Sequence, residues 1–250
     1  MLASMKLKDA MSRLERLGSE SAVKTYRRHG VTGPAFGVKY SDLYAMQKEI
    51  GVDQALARGL WDSGNHDARI LATLVADADA MTVAELEAWQ AVADNATLND
   101  AVSTVAARSS SAKQIAERWR AAKAEYRAAA GWHVVGGLSA PGTIADDEWL
   151  RPCLAEIRKG IHAAPNRTRN AMNSALISIG GYRPALRDEA LAVAKAIGKV
   201  EVDHGDTSCK TPDAVEYIEK MAVRHSKKAA KKAPAAKKAP AAKKAATKRR

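Results

Sequence analysis

The helical periodicity of the apolar residues constrains this chain most, because it runs through nearly every segment of the 250 residues. Across residues 5–18, MKLKDAMSRLERLG, the apolar side chains recur mostly at steps of three or four. Similar patterns predict about a dozen helices of roughly 10–20 residues with short turns between them. In the helix predicted over residues 41–51, Ser41 is the expected N-cap and Gly51 the expected C-terminal stop. This spacing, about two helices per 35–45 residues, is typical of HEAT-type helical solenoids.

Composition favours the same fold. The chain is rich in Ala and holds one Phe, five Trp and six Tyr, which suits closely packed helices better than a β-sandwich. The one strand-like run, KVEVDH at 199–204, is too short to found a sheet. We therefore predict an all-α, HEAT-like α–α superhelix over residues 1–222 as one domain. Cys153 and Cys209 lie far apart and are expected to be reduced thiols.

The C-terminal segment differs in kind from the rest. Residues 227–250 hold nine Lys and two Arg without an acid, so they carry eleven of the twelve net positive charges. Pro234 and Pro240 interrupt any continuous helix. We predict a disordered basic tail over 223–250, which resembles the tails of linker histones and binds polyanions by releasing counterions. The tail residues predicted to bind DNA are Lys227, Lys228, Lys231, Lys232, Lys237, Lys238, Lys243 and Lys244.

No membrane segment or leader is predicted. The first 18 residues carry charges throughout and lack an apolar stretch, which argues against a signal peptide. No run reaches the roughly 18 apolar residues of a transmembrane helix. We expect a cytoplasmic, nucleoid-associated protein that acts as a monomer.

Two clusters of potential metal ligands are interpreted as structural. His66 stands between Asp62 and Asp67 at a predicted helix start, where solvated polar residues are common. Asp203, His204, Asp206 and Cys209 lie in a turn-rich stretch that lacks the tight spacing of a zinc site. We expect a hydrogen-bonded loop there, with Thr211 capping the last helix, and no metal or cofactor.

Several motifs together identify a family resemblance. FGVKYSDL at 36–43, LWDSGNHDARILA at 60–72 and IHAAPNRTRNAMNSALISIG at 161–180 resemble the AlkD-like DNA alkylation repair proteins. VEVDHGDTSCKTPDA at 200–214 resembles a segment of one branch of that family. The resemblance covers roughly residues 30–222. It implies HEAT-like helical pairs curved around duplex DNA and, in active members, a DNA glycosylase that excises N3- and N7-alkylated purines.

This sequence matches the catalytic residues of the family only in part. Asp100, in ADNATLNDAVS, matches the carboxylate that stabilises positive charge on the sugar, and Trp132 matches the tryptophan that opens the next repeat. Ala96 and Ser174 stand where the family places lesion-facing tryptophans. Val135 stands where an Arg is expected, with His133 the nearest polar side chain. The sequence therefore leaves catalysis open.

The predicted DNA surface is basic and lies on several helices. The Asn166–Arg169 stretch opens a helix, so its backbone N–H groups could cradle a phosphate beside Arg167 and Arg169. Lys39, Arg69 and His133 complete the predicted contacts of the body, together with Trp132. Further basic candidates are Arg108, Arg118, Arg120, Lys123, Arg127, Arg158 and Lys159.

Three functional hypotheses follow from these observations. The first is a DNA glycosylase that clamps duplex DNA while the tail raises its residence time. The second is a non-catalytic relative that binds damaged or branched DNA by shape, which the changes at Ala96, Val135 and Ser174 favour. The third is a protein-interaction scaffold that only its tail attaches to DNA, since the body carries a net charge of about +1.

Overall fold

A computed structural model describes residues 5–232, and within that range the chain is entirely helical and irregular, without a strand. The predicted all-α helical-repeat class is confirmed, and KVEVDH is irregular backbone. Two short 3-10 helices, Ile161–Ala163 and Pro184–Leu186, lie between longer elements. The α-helices are α1 (Leu7–Leu17), α2 (Glu20–Arg28), α3 (Tyr40–Ile50), α4 (Gln54–Asp62), α5 (His66–Val75), α6 (Val83–Ala91), α7 (Ala96–Arg108), α8 (Ala112–Arg120), α9 (Glu125–Leu138), α10 (Asp147–Gly160), α11 (Asn166–Tyr182), α12 (Arg187–Ile197) and α13 (Ala214–Lys232).

The helices form two layers. The inner layer consists of α3, α5, α7, α9, α11 and α13, each packed against the next in chain order. Outside it, α4, α6, α8, α10 and α12 each pack against the inner helix that follows them in the chain. Because each repeat buries its apolar face mainly against its neighbours, one continuous core runs along the solenoid between the layers.

Local signals in the sequence set the helix ends. Asp53, Asn65 and Asn95 accept backbone N–H bonds at the starts of α4, α5 and α7. Gly51 ends α3 with a φ of 73°, as predicted, because such a backbone favours glycine. The predicted N-cap Ser41 was wrong: α3 begins at Tyr40, and Lys39 stands at the cap position without a side-chain cap.

Small residues let the helices approach closely. A Cβ at Gly131 of α9 would lie 2.1 Å from the backbone nitrogen of Arg120 in α8, so no other residue fits there without a shift. Aromatic residues fill the wider spaces: Trp119 and Trp132 are fully buried, and Trp61 stacks on Trp89 with ring centroids 4.1 Å apart. The low aromatic content therefore reflects tight helix packing.

The last helix crosses the predicted boundary at residue 222 and continues to Lys232. Lys227, Lys228, Lys231 and Lys232 belong to this helix, whereas Lys237, Lys238, Lys243 and Lys244 lie outside the described residues. The disorder of the tail stays a prediction. Among the described helices, none is long and apolar enough to cross a membrane. Cys153 is buried and Cys209 is exposed, and both are free thiols.

Candidate nucleic-acid interface

Two adjoining cavities open on the inner layer. The first, here the His133 cavity, has a volume of about 650 Å³ and lies among α7, α9, α11 and the turn after α9. The second, here the Tyr44 cavity, has a volume of about 770 Å³ and lies among α3, α5, α7, α11 and the loop before α13. Both are lined by Asp100, Thr104, Arg108 and Ser174, so α7 forms the wall between them.

Asp100 lies where the two cavities meet. Asn95 caps α7 by accepting the Leu98 N–H at 3.0 Å, and the carboxylate of Asp100 emerges from the first turns of that helix. Its side chain is 55% exposed, and its Oδ1 atom lies 3.0 Å from Nε2 of His133. The predicted catalytic carboxylate is therefore accessible, but it is paired with a histidine of α9.

The pairing changes the titration of His133. Burial alone would lower the pKa of this imidazole, but the charge and hydrogen bond of Asp100 outweigh burial, so the pKa lies above its usual value. The contact with Asp100 therefore favours the protonated form of His133. Val135, two residues on, is fully buried in the core, so His133 is the polar side chain that α9 presents to Asp100.

The positions flanking Asp100 lack aromatic side chains. Ala96 and Ser174, which stand where the family resemblance implies tryptophans, line the Tyr44 cavity together with Asp100. Trp132 does not compensate. It is 2% exposed and packs beneath the Arg120 guanidinium, which lies 5.6 Å from its ring centroid. The predicted contact between Trp132 and DNA is therefore wrong, because this side chain belongs to the core.

Two predicted phosphate ligands are occupied by structural contacts. Arg169 donates to the backbone carbonyls of Glu201, His162 and Ala164, which ties the loop before α13 to the segment between α10 and α11. Arg69 donates to the Trp61 carbonyl, and its guanidinium lies 5.2 Å from the Trp61 ring centroid. Neither guanidinium is oriented primarily towards solvent. Their role is to hold backbone and aromatic side chains in place.

The predicted phosphate cradle at the start of α11 is also occupied. The backbone N–H of Arg167 donates to Oε1 of Glu125 at 2.6 Å, and the Thr168 hydroxyl donates to the Glu125 carbonyl. A carboxylate therefore already fills the position where a phosphate was expected. The Arg167 side chain itself lines the Tyr44 cavity, so its predicted role depends on its guanidinium alone.

The other basic candidates divide between the layers. Arg118 and Arg127 share Glu87 as their ion-pair partner, and Arg120 pairs with Glu156, so all three guanidinium groups are engaged by carboxylates. Arg158 and Lys159 belong to α10 in the outer layer, whereas Lys39 is exposed at the start of α3. Arg108 is the notable exception, since it lines both cavities and donates to the Thr73 carbonyl at 3.1 Å.

Three residues of the Tyr44 cavity were missed by sequence reasoning. Tyr40 and Tyr44 lie one turn apart on α3, and Lys210 comes from the loop before α13. The i, i+4 spacing of the two tyrosines could have indicated a shared face, although it could not indicate which face of α3 is exposed. Lys210 carried no such signal, because an irregular loop has no periodicity.

The FGV and HDAR motifs meet through Asp67. Its buried carboxylate accepts the backbone N–H groups of Phe36 at 2.7 Å, Gly37 at 3.1 Å and Val38 at 2.8 Å. This contact fixes the segment that leads into α3 against the start of α5. Asp67 was expected at a solvated helix start, which was wrong, because its side chain is fully buried. The motif thus positions α3 and its tyrosines.

The loop at 200–213 is held over the start of α11. Nδ2 of Asn166 donates to the Asp203 carbonyl, and the Asp203 N–H donates back to Asn166 Oδ1, both at 2.7 Å. His204 lies 3.0 Å from the Thr211 hydroxyl, so Thr211 does not cap α13; Asp213 does, accepting the Glu216 N–H. Among the described residues, no three His, Cys, Asp or Glu side chains are placed to hold a metal ion.

Comparisons with known proteins agree with this architecture. Two Listeria proteins named as uncharacterized align with this chain over a length of 218, an alignment that covers 84% of this chain and 95% of each relative. They are Lin0241 of L. innocua serovar 6a, at 29% identity, and Lmo0209 of L. monocytogenes serovar 1/2a, at 28%. A solved structure is described as "A new family of proteins related to the HEAT-like repeat DNA glycosylases with affinity for branched DNA structures". It matches with a TM-score of 0.80 and 30% identity, over 88% of this chain and 95% of that one.

The family assignment rests on the length of the match as well as on the fold. Residues 10–218 match the protein family described as "DNA alkylation repair enzyme". That range runs from within α1 to the start of α13, so it includes the inner helices α3, α5, α7, α9 and α11 in full and the lining of both cavities. A match to one repeat would indicate a shared fold alone, whereas this match spans most of the described solenoid. The chain therefore belongs to the DNA alkylation repair enzyme family.

Proposed function

We propose that this protein binds branched or damaged DNA along its inner layer and recognises the structure of the DNA. The observation that carries the proposal is the charge of the Tyr44 cavity, whose lining holds three cationic side chains, Arg108, Arg167 and Lys210, and one carboxylate, Asp100. The body as a whole is nearly neutral, so these cations are concentrated on the face that the solenoid presents to a ligand. The related solved structure, with its affinity for branched DNA, supports the same class of ligand.

The predicted basic tail contributes affinity without selectivity. Lysines spaced by Ala and Pro supply point charges that neutralise phosphates, and they offer no positioned contacts to bases. The inner layer supplies the selectivity, because it recognises the shape of the DNA. Under this proposal the tail and the solenoid bind the same polymer, and removing the tail weakens binding to every DNA by a similar factor.

Excision of alkylated purines is the second candidate, and the position of Asp100 favours it. A half-exposed carboxylate at the junction of two cavities could stabilise the positive charge that develops on a sugar as a cationic base leaves. Ala96 and Ser174 provide no aromatic faces for that charge. Each absent cation–π contact lowers the rate by about 5- to 30-fold, if it is worth about 1–2 kcal/mol.

Binding to a four-way junction and to a linear duplex of equal length, measured by fluorescence anisotropy at low salt, tests the first candidate. We expect tighter binding to the junction, and about tenfold weaker binding in the Arg167→Gln/Lys210→Gln double variant. Arg158→Gln/Lys159→Gln, on the outer helix α10, is the matched control and should bind like the wild type. A body that binds no DNA once the tail is removed would contradict the proposal and favour a protein-interaction scaffold.

Base release from methylated duplex DNA tests the second candidate. Release of N3- or N7-methylpurine that disappears in Asp100→Asn would establish excision, because this variant keeps the shape and removes the charge. Release at the spontaneous rate, with DNA binding intact, would leave structure recognition as the function.

A further inference from the structure

Two tyrosine rings are exposed side by side on the inner layer. Tyr40 and Tyr44 lie one turn apart on α3, and they are 37% and 52% exposed. Their ring centroids are 6.1 Å apart and their planes are tilted by 46°. Paired large aromatic side chains are normally buried against other apolar groups, whereas these two face a cavity. Their free faces are therefore available to a planar ligand.

The surroundings of the rings suit a ligand that is both planar and anionic. Arg167 and Lys210 line the same cavity from α11 and from the loop at 200–213, and Arg108 lines it from α7. No hydrogen bond or ion pair in the described part of the chain engages the Arg167 guanidinium. A cation without a protein partner, close to exposed aromatic rings, matches the pattern of single-stranded nucleic-acid sites.

The size of the cavity restricts what can enter. The loop at 200–213 and α3 line the same cavity, the loop through His204 and Lys210 and the helix through Tyr40 and Tyr44. The paired Asn166–Asp203 hydrogen bonds fix this loop on α11. A volume of about 770 Å³ falls in the range of small-ligand pockets, about 300–1,000 Å³, so a nucleotide fits and a stretch of paired duplex does not.

We propose that the Tyr44 cavity holds an unpaired nucleotide from a branch point, with its base stacked on Tyr44 beside Tyr40 and its phosphate bound by Arg167 and Lys210. This inference rests on the proposed binding of branched DNA and names the part of that DNA which the protein recognises. Every base has a π-face, so the site selects unpaired over paired nucleotides without reading the sequence. The double-stranded arms stay outside the cavity.

The test uses the full-length protein and a three-way junction that carries one unpaired 2-aminopurine at its branch point. A fully paired linear duplex of equal length is the comparison. We expect binding to quench the 2-aminopurine fluorescence through stacking. Tyr44→Leu should weaken junction binding by about 5- to 150-fold and abolish the quenching, while duplex binding stays unchanged. Tyr44→Phe keeps a stacking face and should behave like the wild type.

Tyr217→Leu is the matched control. Tyr217 is 42% exposed on α13 and lines neither cavity, so the same substitution there should alter neither binding nor fluorescence. Circular dichroism of each variant verifies that the helices are intact.

The possible outcomes separate this inference from the proposed function. Wild-type protein that binds neither DNA contradicts the proposed function itself. Wild-type protein that prefers the junction, together with a Tyr44→Leu variant that binds it as tightly and quenches as strongly, overturns the inference alone. A Tyr44→Leu variant that binds the junction and the duplex more weakly by the same factor also overturns the inference, because Tyr44 would then contact paired DNA.

Discussion

Replacing Asp67 by alanine should destabilise the fold strongly, because one side chain holds three backbone groups. The carboxylate accepts the N–H groups of Phe36, Gly37 and Val38, and two of these contacts are fully buried. Alanine would leave those donors without an acceptor. The affected segment leads directly into α3, so the same change should also loosen the helix that carries Tyr40 and Tyr44.

The magnitude follows from the cost of unpaired donors. A buried donor that loses its partner costs about 1–3 kcal/mol, and hydrogen bonds to charged groups lie at the upper end of that range. The three losses are not independent, since water can enter the space that the carboxylate leaves. We therefore expect the free energy of unfolding to fall by about 3–5 kcal/mol, which places Asp67→Ala among the most damaging single substitutions.

Urea denaturation followed by circular dichroism measures this loss. Asp62→Ala is the matched control, because Asp62 lies five residues earlier and is exposed. It should change the free energy of unfolding by less than about 0.5 kcal/mol. A loss below about 1 kcal/mol in Asp67→Ala would refute the assignment of three buried hydrogen bonds to this carboxylate.

Three further predictions concern other parts of the molecule. The first concerns pH: the pKa of His133 is raised in the folded state, so its contact with Asp100 should stabilise the fold fully below about pH 6.5. That stabilisation should be lost as the pH rises through the higher folded pKa. His133→Gln should remove this pH dependence from the free energy of unfolding measured in denaturation curves. Truncation after Lys232 removes seven basic residues and keeps α13, so the slope of log affinity against log salt should become shallower by up to about 6. An unchanged slope would exclude the tail from DNA contact. Asn166→Ala should cost about 1–2 kcal/mol of stability and speed hydrogen exchange in the loop at 200–213, whereas equal exchange rates would show that other contacts hold the loop.

The helical architecture was predictable because its signals are local. Apolar spacing, caps and stop glycines act within one or two turns, so they can be read without knowing what a helix packs against. The face of a helix that meets solvent is not local information. Trp132 illustrates this: α9 packs against α7, α8 and α11, so its side chains are buried on most sides and the tryptophan belongs to the core.

The sequence identified one residue of the candidate site through the family resemblance. Asp100 lies accessible on the cavity wall, and its catalytic role stays a prediction. Arg169 fails as a phosphate ligand because its guanidinium donates to the carbonyls of His162 and Ala164, shortly before it in the chain, and to that of Glu201 in the loop before α13. The Glu201 carbonyl reaches Arg169 only through tertiary folding, so no local sequence pattern indicates that contact.

The motifs shared with alkylation repair proteins mainly stabilise the fold, whereas the positions that differ lie where the chemistry would take place. Asp67, Asn166 and Arg169 hold backbone segments together, so the motifs that contain them preserve the shape of the inner layer. The substituted positions, Ala96 and Ser174, lie on the cavity wall, where a change alters chemistry and leaves the shape intact. A chain can therefore retain the family's fold while it lacks the tryptophans that the resemblance places on the excision surface. In the described part of the chain, the exposed aromatic side chains that line the Tyr44 cavity are Tyr40 and Tyr44 of α3 instead. The proposed recognition of an unpaired base uses these two rings, whereas excision would use the aromatic positions that Ala96 and Ser174 occupy.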